Sequence, residues 1–327
     1  MELCFGPMSS EIIKALFRYS HQYNFPITII ASKNQIDYDG GYVGGWNTEQ
    51  FTQYLTNLKH KYPSSQITIA RDHCGPGFKL QDHTKLTDTY KTLEEDIKCG
   101  FDIIHIDFSN YMGDKIKQTC LLMEYANSLN PNIEFEIGTD IIGEIPNYDK
   151  IRSELINFQD FDALYYVVNT GSHIKENKQI GVFYESSTKN CKYILDEFGV
   201  GLKEHNADYL SFLQIQKRIG LVDAMNVAPQ LGVVQTLTLL TECQKFGINV
   251  DDFVNLVYNN SKWQKWDNGN LRNNPYLATV VAGHYHFASD IYKRLMDQLD
   301  YQRFSNKIYR QMIDIINHYR FNSILHL

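Results

Sequence analysis

Residues 67–73 read Ile67-Thr68-Ile69-Ala70-Arg71-Asp72-His73, an apolar strand ending in an acid and an imidazole. On an extended strand these last two side chains point to opposite faces. They can serve one site only if the chain turns there, as it does where a barrel strand meets its following loop. Two more histidines, His173 and His205, stand just past buried-looking strands, after Tyr165-Tyr166-Val167-Val168 and Gly199-Val200-Gly201-Leu202. Three imidazoles at strand ends with a neighbouring carboxylate can hold a divalent metal in an open coordination sphere and supply a base. His73, His173 and His205 are therefore the candidate metal ligands, with Asp72 as the catalytic carboxylate. The simpler reading, that barrel strands end in something polar where they meet solvent, covers most polar residues singly. It covers three histidines out of only eleven in the chain less well.

The elements that would carry these groups alternate along the chain. Strands are expected at 3–7, 27–31, 66–72, 102–108, 133–137, 164–168, 199–202 and 224–228, each followed by a segment long enough for a helix. Asn47 is a good N-cap for the second helix, with Gln50 three residues on and Phe51, Tyr54, Leu55 and Leu58 as its apolar stripe. Eight short, doubly apolar strands predict an α/β protein, a (β/α)8 TIM barrel. A doubly wound open sheet is the alternative, because the first strand is weak. Beyond residue 245 the pattern turns helical, aromatic and polar, so residues 1–327 are read as one barrel domain with 245–327 as a C-terminal helical extension.

In such a barrel the active site lies at the carboxyl ends of the strands. Polar residues gather there from the second strand to the eighth, and Asn34, Gln35, Asp107, Glu136, Lys203 and Asn226 are the candidates for substrate contacts. Thr139 and Asp140 belong to the same ring. His105, inside the fourth strand, is read as a packed core residue or as a partner behind a ligand. His284-Tyr285-His286 has metal-like spacing but merges into a helical run, where residues two apart diverge, so a packing or surface role is expected. Asp82-His83 sits in a polar loop and is read as solvated. The Gly-rich stretch 39–45 lacks both P-loop and dinucleotide spacing, and suits a lid or a close backbone approach to a ligand.

Composition narrows the partners. The 38 acidic and 31 basic residues leave a net charge of −7 with no basic stripe, which argues against nucleic acid. No apolar run is long enough to span a bilayer, and the first residues show no secretion signal. The six cysteines lack CxxC spacing and suit a reducing cytoplasm. A homo-oligomer is left open.

Three segments carry a family resemblance: Ala31-Ser32-Lys33-Asn34-Gln35 with Gly40-Gly41-Tyr42, then Asp72-His73-Cys74-Gly75-Pro76, then Gly100-Phe101-Asp102-Ile103-Ile104-His105-Ile106-Asp107. They resemble the tagatose-bisphosphate aldolase accessory-subunit family, which is related to class II aldolases. The resemblance implies a (β/α)8 barrel with a divalent metal, zinc being the usual one, held by three histidines. It implies that Asp72 transfers the proton of a C4 hydroxyl, that His73 is the first ligand, and that Asn226 contacts substrate. Relatives resembling ketose-phosphate 4-epimerases imply that such a chain can be active. One departure stands out. Class II aldolases follow their second and third histidines with Gly-rich phosphate loops, whereas here Ile174-Lys175-Glu176 and Asn206-Ala207-Asp208 follow. Lys175 or Lys203 could replace such a loop, or the substrate could lack phosphate there.

The expectation is metal-dependent aldol or retro-aldol chemistry at C3–C4 of a ketose or ketose phosphate, as a 4-epimerase or a class II-type aldolase. The alternatives are a non-catalytic accessory subunit of a tagatose-bisphosphate aldolase, and a metal-independent isomerase barrel.

Overall fold

The computed structural model describes residues 1–79, 86–139, 141 and 144–323; Asp82-His83 and Asp140 lie outside the described residues. Eight parallel strands close into a barrel: β1 (Glu2–Phe5), β2 (Pro26–Ser32), β3 (Gln66–Cys74), β4 (Ile103–Ile106), β5 (Glu134–Thr139), β6 (Ala163–Val168), β9 (Gly201–Glu204) and β10 (Ala224–Val227). Around the barrel the order is β1-β10-β9-β6-β5-β4-β3-β2, with β2 pairing back to β1. All eight expected strands are present, and closure removes the open-sheet alternative. A two-stranded hairpin, β7 (Ile174–Lys175) and β8 (Lys178–Gln179), interrupts the connection after β6.

The two faces of the strands carry different loads. Outward side chains join the main apolar core between strands and helices. Inside the barrel, Cys4, Ile30, Ala70, Ile103, Tyr165 and Ala224 form a separate small cluster. Because side chains alternate along a strand, that cluster fixes what lies above it. Ser32, Asp72, His105 and Asn226 each follow one of its members by two residues, and so face the barrel interior at its carboxyl end.

Local sequence accounts for the surrounding helices. Asn47 closes a reciprocal capping box with Gln50 at the start of the helix Thr48–Lys61. After β10, the helix Pro229–Lys245 begins with proline at its first turn. The remainder is helical: Asp251–Asn260, Pro275–Ala282, Asp290–Met296 and Tyr301–Asn322, with short 3-10 turns at Lys262–Trp266 and Gly283–His286. The last helix returns to the first, Ser10–Tyr23, where Tyr19 donates to Asn317 at 2.5 Å and the Arg18 guanidinium lies 3.8 Å from the Tyr309 ring centre.

Candidate metal centre

The turn that Asp72 and His73 require is present. His73 has φ +53, and the β3–β4 register shifts between Arg71 and Cys74. This left-handed conformation costs on the order of 1–2 kcal/mol for a residue with a β-carbon, and it swings the His73 ring back to the side that Asp72 faces. Its surroundings hold it there. The His73 amide donates to His105 Nδ1 at 3.3 Å, and His73 Nδ1 meets Asp107 Oδ2 at 2.7 Å. One step outward, Arg71 makes two 2.6 Å bonds to Asp96 and braces the Ala31 and Ile36 carbonyls.

Two motif glycines are steric necessities. A β-carbon on Gly75 would sit 1.7 Å from the Asp107 carbonyl oxygen, and one on Gly41 would sit 2.0 Å from that of Gln35. The Gly-rich loop thus folds against its own chain, with Tyr42 and Val43 amides donating to Asn34 and Gln35 carbonyls. The close approach expected at Gly41 is to backbone, not to a ligand.

The rings of His73, His105 and His205 gather at the barrel mouth, with centres 4.9, 5.1 and 5.4 Å apart. Asp72 Oδ1 lies at 3.8 Å from His73 Nε2, 3.9 Å from His105 Nδ1 and 3.8 Å from His205 Nε2. These separations are too long for hydrogen bonds and slightly wider than the roughly 3.3 Å between neighbouring ligands of a tetrahedral zinc. Behind the rings, Asp107 accepts from His73 Nδ1, and the Gly138 carbonyl accepts from His105 Nε2 at 2.9 Å. Both rings therefore donate a proton at the back; His73 Nε2 faces Asp72, and His105 Nδ1 accepts from the His73 amide. Imidazole nitrogens and carboxylate oxygens gathered in this way are donors of the kind that suit a divalent metal such as zinc.

Burial pushes the Asp72 carboxyl up, but His73, His105 and His205 outweigh it and hold it well below the usual carboxylate range. Asp107 is held low in the same way, chiefly by His73 against its own burial. Both groups are anionic at neutral pH. The Asp72 and His73 side chains are 18 % and 20 % exposed, so the site opens to the mouth.

Of the three expected ligands, His73 and His205 stand at the cluster and His173 stands apart from it. Among the described residues, the groups able to hold a metal are Asp72 with His105 and His205, and His73 with His105 and Asp107; neither includes His173. His173 lies on the loop between β6 and the β7–β8 hairpin. Its amide donates to Gln179 Oε1 at 2.7 Å, and Gln179 Nε2 donates to the Asn206 and Asp208 carbonyls. The segment thus buttresses the loop that carries His205. The His105 ring lies beside those of His73 and His205 instead. Its signal was its spacing, since Ile103, His105 and Asp107 alternate onto one face.

The expected substrate residues divide. Asp107 is buried behind His73, its other oxygen accepting from the Ser109 amide, so both of its oxygens are engaged and it orients that ring. Glu136 and Lys203 form a fully buried ion pair inside the barrel. Burial would lower the Lys203 ammonium, but Cys4 and Glu136 outweigh it and hold it above the ordinary lysine range. Lys203 is therefore neither a free amine nor an open phosphate contact. Gln35 is buried and accepts from the Ser32 amide. Asn34 donates to the Phe78 carbonyl at the cleft edge. Asn226 keeps a buried side-chain oxygen with no hydrogen-bond partner among the described residues, facing the mouth. His284 is buried against Tyr42 and Tyr285, the packing role expected of it.

Solved structures share the fold. A probable tagatose 6 phosphate kinase from Sinorhizobium meliloti 1021 superposes with a TM-score of 0.81 at 17% identity, over 98% of this chain and 99% of that one. The YdjI aldolase of Escherichia coli K12 gives 0.53 at 13% identity, over 91% and 89%. The fructuronate-tagaturonate epimerase UxaE of Cohnella laeviribosi gives 0.54 at 11% identity, over 98% and 78%. At these identities the likeness is one of fold. Sequence adds the family: residues 6–126, which contain all three quoted motifs, match the family described as D-tagatose-1,6-bisphosphate aldolase subunit GatZ/KbaZ-like, and it is this family that the chain resembles.

Proposed function

We propose that the chain is a metal-dependent sugar enzyme that breaks and remakes the C3–C4 bond of a ketose or ketose phosphate, with a 4-epimer or a pair of aldol fragments as product. The observation that supports it is the convergence of three imidazole nitrogens on Asp72 Oδ1 at 3.8–3.9 Å at an open barrel mouth. His73, His105 and His205 would hold the metal, which when bound supplies Lewis-acid charge to the substrate's oxygens. Asp72, anionic and partly exposed, accepts the proton of the C4 hydroxyl as the bond breaks and returns it on re-addition. Asp107 and the Gly138 carbonyl keep two rings oriented. Asn226 offers its unpartnered oxygen to a substrate hydroxyl. An aldehyde that turns over before re-addition gives the epimer, and one that leaves gives cleavage.

The test is a panel of ketoses and ketose phosphates followed by NMR in heavy water. C4 epimer or aldehyde carrying no deuterium at C4 is expected, because that hydrogen stays on its carbon throughout. Deuterium at C4 would refute the aldol route. The family name favours a second reading, an accessory subunit. It predicts no turnover by the isolated chain and restored turnover with a partner aldolase.

A further inference from the structure

Beside the metal centre, a cleft of about 470 Å³ runs between the end of β2 and the C-terminal extension. Ser32, Asn34 and Tyr42 line one wall; Lys262, Lys265 and Tyr285 line the other. The Lys262 ammonium lies 5.0 Å and the Lys265 ammonium 5.2 Å from the centre of the same Tyr285 ring, and Lys265 also lies 4.5 Å over Trp266. Cation–π contact with one ring needs only one cation. A second brings repulsion: burial first, then the charge of Lys265, lowers the Lys262 ammonium. In a chain with a net charge of −7, neither ammonium has a carboxylate partner among the described residues. A third lysine, Lys175, reaches the same edge and donates to the Lys265 carbonyl at 2.9 Å. Two like charges held together without a counter-ion leave room for an anion to lower the energy.

The cleft neighbours the histidine cluster through one strand pair. Ser32 pairs in register with Asp72, and both face the barrel interior by alternation from Ile30 and Ala70. Neither of the lysines that could replace the absent Gly-rich phosphate loops stands open beside Asp72. Lys175, on the β7–β8 hairpin, donates to the Lys265 carbonyl, and Lys203 is closed off by Glu136.

We infer that Lys262 and Lys265 form the subsite for the anionic end, phosphate or carboxylate, of the sugar whose reacting carbons lie at Asp72. This deepens the reading above and rests on it for the identity of the sugar, but anion binding can be measured without turnover. Inorganic phosphate titrated into the whole protein, followed by calorimetry and by Trp266 fluorescence, should bind. Lys262→Gln/Lys265→Gln should bind it roughly tenfold to a hundredfold more weakly, the scale of lost charge-assisted hydrogen bonds. Lys262→Arg/Lys265→Arg, which keeps both charges, should retain binding and guards against misfolding as the cause. For a phosphorylated ketose that turns over, the Gln pair should raise KM and spare kcat, with little effect on the unphosphorylated sugar. A hexuronate displacing phosphate, and binding more tightly, assigns the cleft to sugar acids. Equal phosphate binding by wild type and the Gln pair, or none at millimolar phosphate, overturns the subsite. Phosphate binding lost in the Gln pair without any C4 chemistry leaves the subsite standing and removes the aldol reading.

Discussion

At the scale of single residues, the site depends on one backbone torsion and on what stands behind the rings. His73 reaches the cluster because φ is +53, and Asp107 and His105 hold it there. His105 should therefore matter to the metal more than His173 does. Purified His105→Ala is expected to lose most bound metal by elemental analysis, while His173→Ala keeps it; the reverse result would restore the ligand set drawn from strand ends alone. Asp72→Asn is expected to keep its fold and its metal and to lose turnover by roughly a hundredfold or more, the scale of a general acid–base group. Near-normal turnover would move the proton to another group.

At the scale of elements, the loop after His205 is pinned to the next helix by a carboxylate. Asp208 Oδ1 accepts from the Ala228 and Gln230 amides at 3.0 and 2.7 Å, capping the helix Pro229–Lys245 from outside its own segment. Its other oxygen is buried without a hydrogen-bond partner among the described residues. Burial pushes this acid up to about 7, against the pull of those two amides. A folded pKa above the unfolded value means that the folded chain binds the proton more tightly. The stability it confers is complete below the unfolded pKa near 4 and is lost as pH rises through about 7. Asparagine keeps the accepting oxygen and carries no charge. On metal-stripped protein, Asp208→Asn is expected to match wild type in urea near pH 4 and to exceed it by on the order of 2 kcal/mol at pH 8. A gain of equal size at both values would show that the charge is not the cause.

At the scale of the molecule, the extension is part of the barrel's support. The helix Tyr301–Asn322 packs on the first helix through Tyr19–Asn317 and Arg18–Tyr309, and Tyr319 donates to the Ala207 carbonyl, two residues past His205. The chain is expected to behave as one domain, with a single calorimetric transition and a truncation at residue 245 that fails to fold. Two separated transitions, or a folded truncated barrel, would make the extension a domain of its own. No described helix is long and apolar enough to cross a membrane.

The barrel was legible in the sequence because its strands are short, apolar on both faces and regularly interrupted, and local patterning decides such elements. Asp72 and His73 were legible for the same reason, since they end a strand, and the Asn47–Gln50 cap is a purely local device. Which histidines meet was decided in three dimensions. Along the chain His173 reads as a strand-end ligand and His105 as a core residue or a partner behind a ligand, and only the closed barrel, with the turn at His73, brings the His105 ring to the cluster and leaves His173 on a bracing loop. The same holds for Lys203 and for the Lys262–Lys265 pair. A lysine's availability depends on whether a carboxylate from another strand reaches it. Glu136 does so from β5 for the first, while no carboxylate among the described residues does so for the second, because partners far apart in sequence meet only when the barrel closes.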